Sequence, residues 1–134
     1  MIQAQGKIHR INAGLWDEIF TWNGPDGVLH FNATRAYLWA LRGGEGVSRV
    51  IANVSADQIE QIRRERGIEQ RKLDRLCEPW LSMPIVAVQM PGGTVLTIDG
   101  HHRLVKRGPG EFRFLLIAEP YWKQFLVELP ECLA

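Results

Sequence analysis

The chain has 134 residues, of which 46% are apolar, and its 16 Lys and Arg nearly balance its 15 Asp and Glu. This length suits a single domain, residues 1–134, and the composition excludes an intrinsically disordered chain. The net charge of +1 argues against a protein that mainly coats duplex DNA, so DNA is a less favoured partner. Because no apolar run could span a bilayer and residues 1–10 lack a signal-peptide core, we expect a cytoplasmic protein with no membrane partner.

Residues 1–46 are rich in aromatic side chains and are expected to form an N-terminal extension packed on the rest. Residues 7–11 predict a first strand, and the turn signal at 23–27, followed by an apolar run at 28–31, predicts a hairpin or a looped excursion. Residues 33–42 predict a helix that stops at the following glycine pair. The aromatic segment from Trp16 to Trp39 is more often core in a small domain, but it is also a candidate surface for a protein partner.

The middle of the chain predicts a buried strand at 47–54 and then two helices. The sequence Ser55-Ala56-Asp57-Gln58 has the form of a capping box that starts a helix running to about Arg66. A second helix is predicted over 68–81 with Leu73, Leu76 and Trp80 inward, although Pro79 implies an early stop or a bend. The charges between 63 and 75 favour a solvated helical face, with a basic rim that attracts phosphates as the alternative.

The last third of the chain predicts a hairpin, a short helix and a further strand. Residues 84–89 and 95–98 flank a Pro-Gly-Gly turn, and residues 112–118 are strongly apolar. Residues 119–123 predict one helical turn, and periodicity leaves 125–129 open between strand and helix. The pattern as a whole predicts an α+β fold with a small mixed sheet flanked by helices.

The densest set of reactive side chains lies where the predicted hairpin turns into the helix. Asp99, Gly100, His101, His102 and Arg103 supply a carboxylate, a flexible backbone position, two imidazoles and a guanidinium in five consecutive residues. A glycine permits close approach of a ligand, and the first amides of a helix lack intrahelical acceptors, so the junction suits an anion. The alternative is that Asp99 is only the helix N-cap, which explains the aspartate but not the histidine pair.

This turn and the strand before it resemble the core of the ParB/sulfiredoxin-like superfamily, in particular ParB-like nuclease domain proteins. The specific features are Ile98-Asp99-Gly100-His101-His102-Arg103, a DGHHR turn, and the Pro-Ile-Val strand that begins at Pro84. The resemblance covers residues 47–118 and implies a ParB/sulfiredoxin-like core with residues 1–46 as an extension.

The resemblance implies roles for the residues of the turn. Gly100 would allow close approach, Arg103 and the backbone amides would hold a β- or γ-phosphate, and His102 would add a second donor. Asp99 would hold Mg²⁺ through a water or orient an acceptor hydroxyl. His101 would serve as a general acid or base because its ordinary pKa lies close to neutral pH. The implied cofactor is Mg²⁺ with ATP or another nucleotide, and the candidate catalytic residues are Asp99, His101 and His102.

Two departures from the family patterns limit the functions that the resemblance implies. Sulfiredoxins carry a cysteine at the position of His101, so sulfinic-acid reduction is not expected. Partition-type ParB proteins carry a Gly-Glu-Arg-Arg turn, so specific centromere binding is not expected either. Related kinases of free amino acids use a further carboxylate as a base, for which Asp17, Glu18, Asp57 and Glu78 are all candidates. A metal site built on His101 and His102 alone is not expected, because adjacent residues seldom converge on one ion.

Three hypotheses for the function follow. The first is a nucleotide-binding protein that acts in phosphate chemistry, either ATP hydrolysis or phosphoryl transfer to a small acceptor. The second is a non-catalytic binding module of phage or mobile-element type that binds a protein partner or DNA. The third is a metal-dependent nuclease, which the modest net charge disfavours. Whether the protein is an enzyme stays open at this point.

Overall fold

The structure is a computed structural model that describes residues 17–128. The predicted strand at 7–11, Trp16 and Leu129 lie outside the described residues. The described strands are β1 (Ile19–Gly24), β2 (Gly27–Asn32), β3 (Val47–Val54), β4 (Ile85–Gln89), β5 (Val95–Asp99) and β6 (Gly110–Ile117). The described α-helices are α1 (Ala33–Leu41), α2 (Ala56–Glu65), α3 (Gln70–Arg75) and α4 (His101–Arg107), and short 3₁₀ turns cover Trp80–Ser82 and Tyr121–Phe125.

The four strands β3, β6, β4 and β5 form one mixed sheet in that order. β4 is parallel to β6, whereas β3 pairs antiparallel with β6 and β5 antiparallel with β4. β1 and β2 form a separate antiparallel hairpin, so the predicted hairpin is confirmed over the looped excursion. The α+β fold with a small mixed sheet is therefore confirmed.

Apolar clusters cover both faces of the sheet, and β4 contributes to each. Val86 and Val88 join a cluster with Phe31 and Trp122, whereas Ile85 joins a second cluster with residues of α2 and α4. This division follows from strand geometry, since successive side chains point to opposite faces. Helices α2 and α4 therefore cover one face, and α1, the β1–β2 hairpin and the second 3₁₀ turn cover the other.

Several local predictions are confirmed. The Ser55 Oγ accepts the backbone N–H of Gln58 at 3.1 Å, and the Gln58 side chain accepts that of Ser55 at 2.8 Å, which completes the capping box. Helix α1 ends before Gly43, whose φ of +70° closes the helix with a bond to the Ala40 carbonyl. The β4–β5 hairpin and the strand after α4 are also present as predicted.

The prediction of a buried strand at 47–54 is wrong in its burial. β3 lies at the edge of the sheet, and Ile51 and Val50 are 65% and 39% exposed. A β-branched apolar run favours the extended backbone in either position, so composition did not distinguish an edge strand from a central one.

The predicted helix over 68–81 is wrong in its extent, although the early stop that Pro79 implied is confirmed. Only Gln70–Arg75 is α-helical, and although Leu73 is buried as predicted, Trp80 is 60% exposed. Pro79 has no N–H to donate to the carbonyl four residues earlier, at Arg75, so the helix cannot run through it. The segment 125–129, which periodicity left open between strand and helix, is described as far as residue 128. Phe125 ends the 3₁₀ turn, and Leu126 then forms an isolated antiparallel β-bridge with Phe31.

Candidate anion-binding cleft

A cleft of about 630 Å³ lies between the start of the β1–β2 hairpin, the α2–α3 region and the β5–α4 turn. All five residues of the predicted turn, Asp99, Gly100, His101, His102 and Arg103, line it. The cleft also contains residues that are distant in sequence, among them Glu18, Phe20, Arg66, Lys72, Arg75 and Trp80. The structure therefore brings the whole predicted turn to one cavity and adds two further walls.

Gly100 occupies a position that only glycine fits. Its φ of +107° lies in the left-handed region, and a Cβ there would meet the Ile85 Cδ1 at 2.7 Å. Gly100 is also the N-cap of α4, and no side chain caps this helix. The alternative that Asp99 serves as a simple helix cap is therefore wrong.

The Asp99 carboxylate instead pairs with Arg103. The Arg103 Nη2 donates to the Asp99 Oδ2 at 2.9 Å, and the two side chains are only 12% and 26% exposed, in the order Arg103 and Asp99. The Arg103 guanidinium also lies 5.5 Å from the centre of the Tyr37 ring, while its buried Nε has no hydrogen-bond partner among residues 17–128. The pair thus holds the turn together and leaves one donor of Arg103 unused.

The Asp99 carboxyl has a pKa above its ordinary value. Burial is the main cause, the negative charge of Glu18 acts in the same direction, and Arg103 partly opposes both. The electrostatic effect of Glu18 means that two carboxylates face the same part of the cleft. A cation bound between them would favour the ionised form of Asp99.

His101 is a weak base in this structure. Burial, together with the positive charge of Arg66, lowers the pKa of His101 to about 4, and a hydrogen bond to the Thr97 backbone only partly offsets this. Its ring stacks on Phe20 with a centroid distance of 5.2 Å. The lowered pKa keeps the ring neutral at pH 7, which disfavours His101 as a general acid, and its role as a general base stays a prediction.

His102 connects the turn to the neighbouring helix. Its Nε2 accepts the backbone N–H of Glu69 at 3.0 Å, so Nδ1 carries the hydrogen in the neutral ring. Burial and the charge of Lys72 lower its pKa. Glu69 is the N-cap residue of α3, which has no side-chain cap. His102 therefore fixes the start of α3 beside the cleft and keeps one donor, Nδ1–H, for a ligand.

The basic residues of 63–75 divide between the cleft and the outer surface. Arg66, Lys72 and Arg75 line the cleft, whereas Arg63, Arg64 and Arg71 do not. Lys72 pairs with Glu69 at 2.9 Å, and the Arg66 guanidinium lies 5.0 Å from the centre of the Phe20 ring. All six cations except Arg66 are exposed, as the predicted solvated face requires, and three of the six also line the cleft.

Glu18 is the one of the four candidate carboxylates that lines the cleft. Its backbone is fixed by two bonds, from its own N–H to the Thr34 Oγ1 at 2.8 Å and from the Ala33 N–H to its carbonyl at 2.9 Å. Asp17 bonds instead to the Asn32 amide, and Glu78 accepts the Ser82 hydroxyl. Nothing in the sequence distinguished Glu18 from the other three candidate carboxylates.

Within residues 17–128, no group of three or more His, Cys, Asp and Glu side chains is arranged to hold a metal ion. His30 bonds to the Thr21 hydroxyl at 2.9 Å and does not line the cleft. In the same part of the chain, no helix combines the length and apolar character that crossing a membrane requires.

Comparison with known proteins gives no relative for this chain: no protein-family model, no curated protein and no solved structure matches it. The resemblance to the ParB/sulfiredoxin-like superfamily therefore rests on the short motif alone.

Proposed function

We propose that the protein binds a nucleotide in this cleft and acts in phosphate chemistry, either ATP hydrolysis or phosphoryl transfer to a small acceptor. The observation that carries the proposal is the convergence of four cationic side chains on one cleft in a chain of net charge +1: Arg66, Lys72, Arg75 and Arg103. The cleft volume lies within the range of about 300–1,000 Å³ that is usual for small-molecule sites.

Arg66 and Arg75 are the cations best placed to accept an anionic ligand. Among residues 17–128, neither forms an ion pair with a carboxylate, whereas Lys72 and Arg103 are paired with Glu69 and Asp99. Guanidinium groups suit phosphate because they present paired donors that match its oxygens. Helix α4 has only seven residues, so we expect the side chains to contribute more to anion binding than the helix dipole does.

Three carboxylates, Asp99, Glu18 and Glu65, line the same cleft, and the charge of Glu18 acts on Asp99. Mg²⁺ is usually held by one or two carboxylates together with substrate phosphates, and this donor set fits that pattern. When bound, Mg²⁺ would neutralise part of the phosphate charge. Glu18, which is exposed and has no pairing cation in the described residues, is the better candidate for accepting the proton of an acceptor hydroxyl.

The two histidines have different proposed roles. His102 would donate Nδ1–H to a phosphate oxygen while its Nε2 holds α3. His101, which is neutral at pH 7, would support the turn through its stacking on Phe20. Since the pKa values of both histidines are lowered, we favour Asp99 and Glu18 over them as proton-transfer groups.

The test is a calorimetric titration with ATP, ADP and CTP, with and without Mg²⁺. We expect saturable binding by the wild-type protein that weakens at least about tenfold in Arg75→Gln, the range of one charge-assisted contact. Arg71→Gln is the matched control, since it removes the same charge from the same helix outside the cleft. Absence of binding by every nucleotide, or equal losses in the two variants, would overturn the proposal.

Arg103→Ala is a less informative variant than Arg75→Gln. Because Arg103 is nearly buried against Asp99 and Tyr37, its removal leaves a buried carboxylate without its partner. We therefore expect this variant to lose stability as well as affinity. Its unfolding curve has to be measured together with nucleotide binding, so that a loss of affinity is distinguished from a loss of folding.

The hypothesis of a protein partner on the aromatic N-terminal segment gains no support from the described residues. Phe31 is fully buried, Trp22 and Trp39 pack against the same cluster, and the Trp39 indole N–H donates to the Glu45 carbonyl at 3.1 Å. A non-catalytic module would instead bind a nucleotide in the cleft without turning it over. Product analysis after incubation with ATP distinguishes that outcome from an enzyme.

A further inference from the structure

Trp80 is exposed where a tryptophan that only fills a core would be buried. Its side chain is 60% exposed and lines the cleft, whereas Trp122 is 1% exposed and donates its indole N–H to the Gln89 carbonyl at 2.7 Å. Among residues 17–128, the Trp80 ring makes no aromatic or cation–π contact and its indole N–H has no hydrogen-bond partner. Its large flat surface is therefore available to a ligand in the cleft.

The backbone that carries Trp80 is held firmly despite this exposure. The Leu81 N–H donates to the Cys77 carbonyl at 3.0 Å, and the Ser82 hydroxyl donates to the Glu78 carboxylate at 2.6 Å. The Ser82 carbonyl accepts Arg113 Nη2 at 2.8 Å, which ties the turn to β6. An aromatic ring on a fixed turn loses little freedom when a second ring stacks on it.

The turn that carries Trp80 also packs against α4, the helix that follows Gly100. Trp80 and the cleft residues of α4, His102 and Arg103, therefore belong to one connected wall of the cleft. Leu76 and Ile68 line the same cavity and give it an apolar part in addition to its cations. A ligand with one flat aromatic group and one polyanionic group matches this division.

We infer that Trp80 is the stacking surface for the base of the bound nucleotide, so that the cleft selects nucleotides over inorganic polyphosphates. This inference rests on the proposed function and adds the residue that determines the ligand class. Stacking of a base on an aromatic side chain is tolerant of base identity, because every base has a π-face. The ring thus selects for the presence of a base, and the choice among bases lies with other contacts.

The experiment compares ATP, CTP and inorganic triphosphate on the wild-type protein, Trp80→Ala and Trp80→Phe. We expect Trp80→Ala to weaken both nucleotides about tenfold or more, the range measured for loss of one stacked base, and to leave triphosphate affinity unchanged. Trp80→Phe retains most of the nucleotide affinity because it retains a ring. Since Trp80 is mostly exposed, the alanine variant is expected to fold, and its unfolding midpoint checks this.

Tryptophan fluorescence gives an independent measure of the same contact. Of the five tryptophans, Trp80 is the one among the described residues that lines the cleft, so nucleotide should quench emission in wild type and in Trp22→Phe but not in Trp80→Phe. Nucleotide binding that is equally strong in wild type and Trp80→Ala would overturn the inference and leave the proposed function standing. Absence of nucleotide binding in the wild type would overturn both, and triphosphate binding equal to that of ATP would overturn the inference alone.

Discussion

The low pKa of His101 predicts that the protein loses stability on mild acidification. In the unfolded chain His101 takes its ordinary pKa of 6.5, whereas in the folded protein its pKa is about 4. The folded state therefore binds fewer protons between these values, so stability is complete above about pH 6.5 and falls as the pH falls toward about 4. At about 1.36 kcal/mol per pH unit, the full difference corresponds to about 3 kcal/mol.

The measurable part of this loss lies above the lower pKa. Between about pH 7.5 and about pH 5, linkage gives a loss of about 2 kcal/mol in the free energy of unfolding from His101 alone. His102, whose pKa is also lowered, adds to the loss, whereas the raised pKa of Asp99 acts in the opposite direction. The comparison with a variant is needed to separate His101 from these neighbours.

The assay is urea unfolding of wild type and His101→Phe across this pH range. Phenylalanine keeps a ring against Phe20 but does not titrate, so the stability difference between the two proteins should change by about 2 kcal/mol in favour of the variant on acidification. A difference that stays constant with pH would show that His101 is solvated enough to keep its ordinary pKa. The stacked, desolvated placement of its ring would then be wrong.

Two further predictions concern the same cleft. Gly100→Ala should lower the free energy of unfolding by about 1–3 kcal/mol, because alanine is strained at a φ of +107° and its Cβ would meet Ile85. Urea unfolding measures this loss. The control is Gly67→Ala, since Gly67 also lines the cleft but an added Cβ there would have no neighbour within 4 Å. Glu18→Gln should leave the affinity for nucleotide without Mg²⁺ within about threefold of wild type while lowering turnover with Mg²⁺ by about 10²-fold or more, the usual contribution of a general base. Steady-state phosphate release beside calorimetry checks this, and unchanged turnover would remove Glu18 from the chemistry.

The parts of the fold that local chemistry determines could be predicted from the sequence. Ser55 and Gln58 are three residues apart and satisfy each other's backbone, and Gly43 closes α1 through its own φ, so neither depends on distant contacts. The two hairpins follow from turn residues between apolar runs in the same way. The edge position of β3 depends on the order of strands in the sheet, which its apolar residues do not encode.

The candidate site shows the same division. Asp99, Gly100, His101, His102 and Arg103 are consecutive, so their convergence was visible in the sequence. Glu18, Arg66 and Trp80 reach the cleft only through the packing of the hairpin, the end of α2 and the turn after α3. The same packing sets the pKa of His101, because its causes are burial and the charge of Arg66, and neither exists before the chain folds.

Polar and aromatic groups are less well satisfied in the cleft than in the main core, and this difference supports the interpretation of the cleft as a functional site. Asn32 is fully buried, yet its side chain accepts the Arg35 N–H at 3.0 Å and donates to Asp17 at 2.9 Å, so this buried polar group is satisfied. In the cleft, by contrast, Arg103 Nε is buried with no partner in the described part of the chain, the pKa of Asp99 is raised and Trp80 is exposed. Such departures are costly, and they are expected where a ligand completes the missing contacts. Binding of a nucleotide with Mg²⁺ would supply an acceptor for Arg66 and Arg75, a cation for Asp99 and a ring for Trp80, so one ligand class accounts for the raised pKa and for the exposed ring.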